Sequence, residues 1–204
     1  MSNCIKEVEN GPLILEADSP VLSKDGEDVV TESPAYLCRC GASQNKPFCD
    51  GAHQKKGFSS KTEISKELTF TYEGKELEVN FNRSICAGAS ACVKGLPSVF
   101  LEGGLENWIV PDNDTANNVI NVINNCPSGA LSYRLNNKLH IDERANPKIN
   151  IIKNGPYNVE GIPCMHETRP TNASQTKYTL CRCGYSKNKP YCDYSHAQNN
   201  WTDD

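Results

Sequence analysis

The chain is short of long apolar runs. Hydrophobic residues make up 37% of its 204 positions, mean hydropathy is −0.57, and each uninterrupted apolar stretch is only a few residues. That excludes a helical membrane span, which needs ~20 apolar residues. It also means that any small core here needs a staple. Positive charge is in deficit: 21 Lys and Arg stand against 25 Asp and Glu, a formal net charge of −4. A phosphate-binding surface needs the opposite balance, so nucleic acid is not an expected partner. No phosphate-binding glycine loop, dinucleotide fingerprint or nucleophile–base pair is present, which argues against an enzyme acting alone. The opening MSNCIKEVENGP has no secretory apolar region, so a soluble, cytoplasmic protein is expected.

What the chain does have is cysteine, 11 in all. Eight ligand-type residues fall into one cassette used twice. Residues 37–53 read LCRCGASQNKPFCDGAH and residues 180–196 read LCRCGYSKNKPYCDYSH, with 12 of 17 positions identical. Each has the form C-x-C-x8-C-x3-H, giving Cys38, Cys40, Cys49 and His53, then Cys181, Cys183, Cys192 and His196. Thiolate and imidazole are the ligands of iron–sulfur clusters and zinc. C-x-C neighbours with a histidine downstream read as ligands, not as a disulfide framework. Cysteines two apart in extended chain point at one metal atom, and Cys49 and His53, four apart, fit one helical turn. Asp50 is placed to cap that turn and Pro47 stiffens the approach. Two ligand pairs from two local structures suit a two-iron rhomb. A single zinc tetrahedron usually takes C-x2–4-C spacing.

The repeat extends beyond the cassette. Asn10-Gly11-Pro12 and Asn154-Gly155-Pro156 each lead into a strand-like stretch, Leu13–Leu15 and Tyr157–Val159. Neither repeat has enough residues for its own core, so the two are expected to pack face to face. Between them, Leu68, Phe70 and Tyr72, then Leu77, Val79 and Phe81, alternate as a hairpin around Glu73-Gly74. Asp112 and Asp114 precede Ala116, Val119, Ile120 and Ile123 at helical spacing, and Pro127 ends that helix. A further strand is expected over Lys138–Ile141. The whole is an α+β chain with domains at 1–62, 63–145 and 146–204.

The insert supplies Cys86, Cys92 and Cys126, with Ala89 where a four-cysteine ferredoxin would carry its middle ligand. Three thiolates suit a [3Fe–4S] cluster, and a [4Fe–4S] cluster completed by water or another residue stays open. Small residues Ala87 to Ala91 let backbone amides approach the sulfides. Cys4 and Cys164 are left as ordinary free thiols. Cys164 with His166 makes a weak C-x-H pair, His140 sits in an expected strand, and Lys46 and Lys189 read as solvated.

Both cassettes resemble the CDGSH (NEET-type) iron–sulfur motif, C-x-C-x2-S-x3-P-x-C-D-G-[STA]-H. The first matches it throughout, including Ser43, Pro47, Asp50, Gly51 and Ala52; the second carries Tyr194 where the motif has glycine. The stretch from Cys86 past Cys126 resembles divergent single-cluster ferredoxin domains. The resemblance implies two 3Cys:1His [2Fe–2S] clusters in an internal pseudo-dimer, around a ferredoxin-like α+β insert. It implies a one-electron carrier whose partners are a reductase and an acceptor, or a donor of clusters to apo iron–sulfur proteins, or a redox and iron sensor. A zinc-stapled interaction module is a further alternative. Histidine ligation raises potential relative to all-cysteine clusters and makes retention sensitive to acid.

Overall fold

The computed structural model describes residues 3–17, 21–29, 32–164, 166 and 169–204. The first repeat opens on a hairpin that its own sequence dictates. Strands β1 (Cys4–Glu7) and β2 (Leu13–Glu16) pair antiparallel. Asn10, at φ 53, turns the chain between them, and the Gly11 amide closes the turn on the Val8 carbonyl at 2.9 Å. Asparagine is among the few side chains that tolerate this left-handed conformation. Leu13 and Leu15 face inward while Ile14 and Glu16 are only half-buried, the period-two pattern of a sheet with one covered face. After β3 (Leu22–Lys24) and β4 (Glu27–Asp28), β5 (Ala35–Leu37) pairs with β2 and leads into the first cassette. Helix α1 (Ala52–Lys56) ends that cassette.

The insert is a four-stranded antiparallel sheet with two helices. Strands β6 (Thr69–Tyr72) and β7 (Leu77–Asn82) form the expected hairpin, with Phe70 opposite Phe81 and Tyr72 opposite Val79. Leu68 lies outside it and is 48% exposed. Its amide donates instead to Ser84 Oγ, and its carbonyl accepts from the Arg83 amide. Helix α2 spans Ala91–Gly95 and α3 spans Ala116–Asn124. Thr115, not an aspartate, caps α3 by accepting from the Asn118 amide, while Asp114 holds the Asn118 side chain at 2.7 Å. The helix buries Val119, Val122 and Ile123, each contributing on the order of 1.5–3 kcal/mol. Strands β8 (Leu131–Leu135) and β9 (Lys138–His140) complete the sheet in the order β6-β7-β8-β9. Sequence reasoning missed β8, although its Leu131, Tyr133 and Leu135 alternate with Ser132 and Arg134.

The second repeat copies the first. Strands β10 (Lys148–Ile151) and β11 (Tyr157–Glu160) turn at Asn154, φ 52, and β12 (Lys177–Leu180) pairs with β11 before the second cassette and α4 (Ser195–Gln198). The repeats are joined by a strand crossing one way and a single bridge the other. Leu22 of β3 pairs parallel with Ile149 of β10, so β3 and β4 extend the second repeat's sheet. In return, Cys164 makes a parallel bridge to Ile5 of β1. Side chains from both repeats and the insert share one buried cluster, which runs from Leu13 and Leu37 through Val79 to Ile149 and Leu180. No helix among the described residues is long and apolar enough to cross a membrane.

Candidate metal centres

Each cassette leaves a strand and folds back on it. The Cys38 amide donates to the Pro47 carbonyl and the Cys49 amide to the Tyr36 carbonyl, both at 2.8 Å; Cys181 with Pro190 and Cys192 with Thr179 repeat the pattern at 2.8 and 3.0 Å. The motif's polar residues tie the intervening loop. Ser43 Oγ donates to the Phe48 carbonyl, and Ser186 Oγ to that of Tyr191, at 2.6 and 2.7 Å. Asp50 accepts from the Gln44 and Ala52 amides, and Asp193 from those of Lys187 and Ser195. Cys49 lies outside α1, because Gly51 turns left-handed at φ 85 and the Ala52 amide goes to Asp50. The turn still brings the pair together.

The donors therefore meet two by two. Cys38 and Cys40 hold their sulfurs 3.7 Å apart, as do Cys181 and Cys183. Cys49 Sγ lies 3.3 Å from His53 Nδ1, and Cys192 Sγ lies 3.4 Å from His196 Nδ1. Among the described residues no three such donors converge on a single ion position. The donor set fits a two-metal group that takes one pair at each metal. In both C-x-C pairs one thiol is held down: Cys38 to about 5 and Cys181 to about 7. The cause is the hydrogen bond from the neighbouring thiol, working against burial, with loop amides adding to it. The partners Cys40 and Cys183 are pushed up for the same reason. Each pair thus gives up a first proton readily and keeps the second until something positive replaces it.

The arginine inside each C-R-C is buried, and sequence reasoning missed it even though it repeats. Arg39 bonds the Gly11 and Val8 carbonyls and Glu7; Arg182 bonds the Gly155 and Ile152 carbonyls and Asp203. Each guanidinium also lies over an aromatic ring nineteen residues on, Arg39 over Phe58 at 5.5 Å and Arg182 over Trp201 at 5.0 Å. The repeated NGP turn is thereby fastened to the cassette that follows it. Lys189, expected in solvent, is 6% exposed and donates to the Ser186 carbonyl. Lys46 is half-buried, with its ammonium near the Asp204 carbonyl.

The cassettes also touch each other. A Cβ on Gly41 would lie 2.3 Å from the Cys183 carbonyl oxygen, and one on Gly184 would lie 2.4 Å from that of Cys40. The two C-x-C loops thus cross backbone to backbone. Tyr157 donates its hydroxyl to the Cys38 and Pro47 carbonyls of the other repeat, and Trp201 donates to the Gly41 carbonyl.

In the insert, Cys86 follows the turn Arg83–Ile85, Cys92 lies in α2, and Cys126 follows α3. Burial raises Cys92 to about 11, and the neighbouring Cys126 and Cys86 add to it; Cys86 rises through burial and then Cys126. The three thiols therefore lie within electrostatic reach of one another. Gly88 and Ser90, at φ 70 and 56, coil the loop between Cys86 and Cys92. A cavity of about 390 Å³ opens beside Cys86, bordered by Trp108, Leu105, Lys94 and Tyr194. The remaining candidates are accounted for locally. The Cys4 thiol donates to Glu16, His166 pairs with Glu7 at 2.6 Å, and His140 stacks on Tyr133 at 4.8 Å. Burial raises Cys164 to about 11.

The family described as iron-binding zinc finger, CDGSH type, matches at residues 10–54 and 154–197. A divergent 4Fe-4S mono-cluster family matches at residues 72–136. The chain is also similar to the uncharacterized protein YjdI of Escherichia coli K12. The two are 41% identical over 63 residues, 31% of this chain and 82% of the relative. The YjdI protein of Escherichia coli O157:H7 matches to the same extent. No solved structure matches. The chain therefore carries two iron-binding domains of the CDGSH type with a divergent 4Fe-4S mono-cluster domain between them.

Proposed function

We propose that this tandem CDGSH chain is a soluble one-electron carrier. It would hold two [2Fe–2S] clusters, one on Cys38, Cys40, Cys49 and His53 and the other on Cys181, Cys183, Cys192 and His196. Cys86, Cys92 and Cys126 would hold a [3Fe–4S] cluster. The [4Fe–4S] form named in the matching family's description needs a fourth ligand. The observation that carries the reading is the twofold pairing of donors, at 3.7 and 3.3 Å in the first cassette and 3.7 and 3.4 Å in the second. When bound, such clusters supply reversible one-electron chemistry. The chain's residues do the rest: Ser43 and Asp50 fix the loop, Arg39 and Arg182 anchor the C-x-C strands, and the crossed loops bury the sulfurs. The crossing strand and the bridge support an internal pseudo-dimer within a monomer, with domain limits at 62 and 145. The net charge of −4 suits transient docking on basic redox partners.

One observation favours a second role, donation of clusters to apo-acceptors. Cys49 and His53 are half-exposed, and nothing would meet a Cβ on Gly51 within 4 Å. The test is iron, sulfide and zinc content with optical and EPR spectra on anaerobically purified protein. About seven irons per chain, with cuboidal and two-iron signals, are expected. Eight would assign a four-iron centre, and stoichiometric zinc without sulfide would overturn the reading. Rapid loss of colour to an apo-ferredoxin would favour donation; reversible reduction with colour retained would favour the carrier.

A further inference from the structure

The substituted glycine of the second cassette is where two kinds of site meet. Tyr194 adopts φ 80, close to the φ 85 of Gly51 in the first cassette. For a bulky L side chain that conformation costs roughly 1–2 kcal/mol, so its contacts must offset the strain. The contacts are specific. The Tyr194 ring lies on Gly88, where a Cβ would fall 2.0 Å from Cδ2 and 2.3 Å from Cε2. The same ring meets the His196 imidazole edge-on, with centroids 5.7 Å apart and planes at 83°. Gly88 lies in the loop between Cys86 and Cys92, and His196 is the second cassette's outer donor. One side chain therefore touches the donor loops of two different candidate centres.

The surroundings hold that contact in place. Asn188 Nδ2 donates to the Ser84 carbonyl at 2.9 Å, and Arg83 Nη1 reaches the Asp193 carbonyl at 3.4 Å. Cys192 is 2% exposed. In the first cassette Gly51 faces open space.

We propose that Tyr194 is a positioning residue that clamps the Cys86–Cys92 loop against His196. The second cassette and the central cysteines then form one shielded unit, and the first cassette is the port through which the protein exchanges with its partners. This rests on the iron–sulfur reading above and adds a division of labour to it. Outer-shell contacts of this kind change metal retention by roughly 10–100-fold.

The experiment challenges the purified, iron-loaded protein with an excess of a ferrous chelator under reducing conditions at neutral pH, and follows the visible absorbance. Two phases are expected, the slower by at least roughly tenfold. Cys49→Ser should delete the fast phase and so assign it. Tyr194→Gly should bring the slow phase to the rate of the fast one, and Tyr194→Phe should leave it unchanged. Amide hydrogen exchange over residues 86–92 should rise in Tyr194→Gly and stay put in Tyr194→Phe. If Tyr194→Gly does not fold, Gly88→Ala, which displaces the ring from the other side, takes its place with the same expected outcome. Equal release rates from both cassettes, or unchanged release and exchange in these variants, would overturn the proposal. Protein purified without iron would instead sink the iron–sulfur reading, and hydrogen exchange would still test the clamp.

Discussion

The two cassettes share their ligands, their loop hydrogen bonds and even the left-handed turn before the final helix, yet they end in different surroundings. Both histidines, His53 and His196, are partly buried, but Cys49 is partly exposed beside the open space at Gly51. Cys192 is buried, and Tyr194 presses the same turn against the insert. Burial also lowers the proton affinity of His196. A seventeen-residue motif thus specifies donor geometry, while access to the donors depends on what is packed over them. Serine, aspartate and the turn residue act through bonds a few residues long, so they work identically in both repeats. Shielding needs a distant surface: the turn at Tyr194 meets the insert, whereas in the first cassette the second repeat covers the C-x-C loop and leaves the turn at Gly51 open.

The backbone crossing at Gly41 and Gly184 is where the repeats are most alike, and breaking it should have the largest effect. Gly41→Ala and Gly184→Ala each drive a methyl into a carbonyl oxygen of the other cassette at positive φ. We expect each to lose roughly 3 kcal/mol or more by denaturant titration, through overpacking added to backbone strain. Equal losses are the outcome if the crossing is symmetric; a mild effect at either site would show that the loops do not support each other there.

Tyr157→Phe probes an unequal contact next. Its hydroxyl serves two buried carbonyls of the first cassette, at 2.8 and 3.1 Å, and the first repeat has Leu13 at the matching place. The Pro47 carbonyl keeps the Cys38 amide, but leaving the Cys38 carbonyl unpaired should cost about 1–3 kcal/mol. The first cassette should be loosened more than the second, as read by hydrogen exchange at residues 38–47.

Glu143 carries a pH-dependent tie to the second repeat. Its carboxylate accepts from Thr176 Oγ1 at 2.6 Å, the Thr176 amide at 2.9 Å and Ser174 Oγ at 2.8 Å. Burial alone would raise its pKa, but these donors outweigh that and hold it below the usual carboxylate value of 4.5. Its stabilisation is therefore complete above the ordinary pKa and is lost as pH falls through the depressed one. Glu143→Gln should cost about 1 kcal/mol near neutrality, a figure kept small by solvent screening. It should also flatten the acid limb of a stability–pH profile; an unchanged limb would remove Glu143 from this role.

The smallest effect should come from Gly51→Asn. Asparagine tolerates left-handed backbone, and the space there is open, so roughly 0.5 kcal/mol or less is expected in thermal melts. A large loss would mean that the first cassette is covered after all.

The chain by itself determined the pairing of the candidate donors. Cys38, Cys40, Cys49 and His53 and their copies are spaced so that short-range turns alone can pair them, and the NGP hairpins and the β6–β7 strands follow from local alternation and turn residues. Strand β8 was legible by the same rule, since Leu131, Tyr133 and Leu135 alternate with Ser132 and Arg134, and was overlooked. The reach of Arg39 and Arg182 back to the NGP turns, the burial of Lys189, the crossing of β3 and Cys164 between sheets, and the seat of Tyr194 on Gly88 were decided by tertiary structure. Each joins residues far apart in sequence, Lys189 by lying over the Phe58 ring at 5.9 Å, where no spacing rule connects them. Position in the motif fixed which thiols and imidazoles are paired; packing between repeats and insert fixed how deeply each pair is buried.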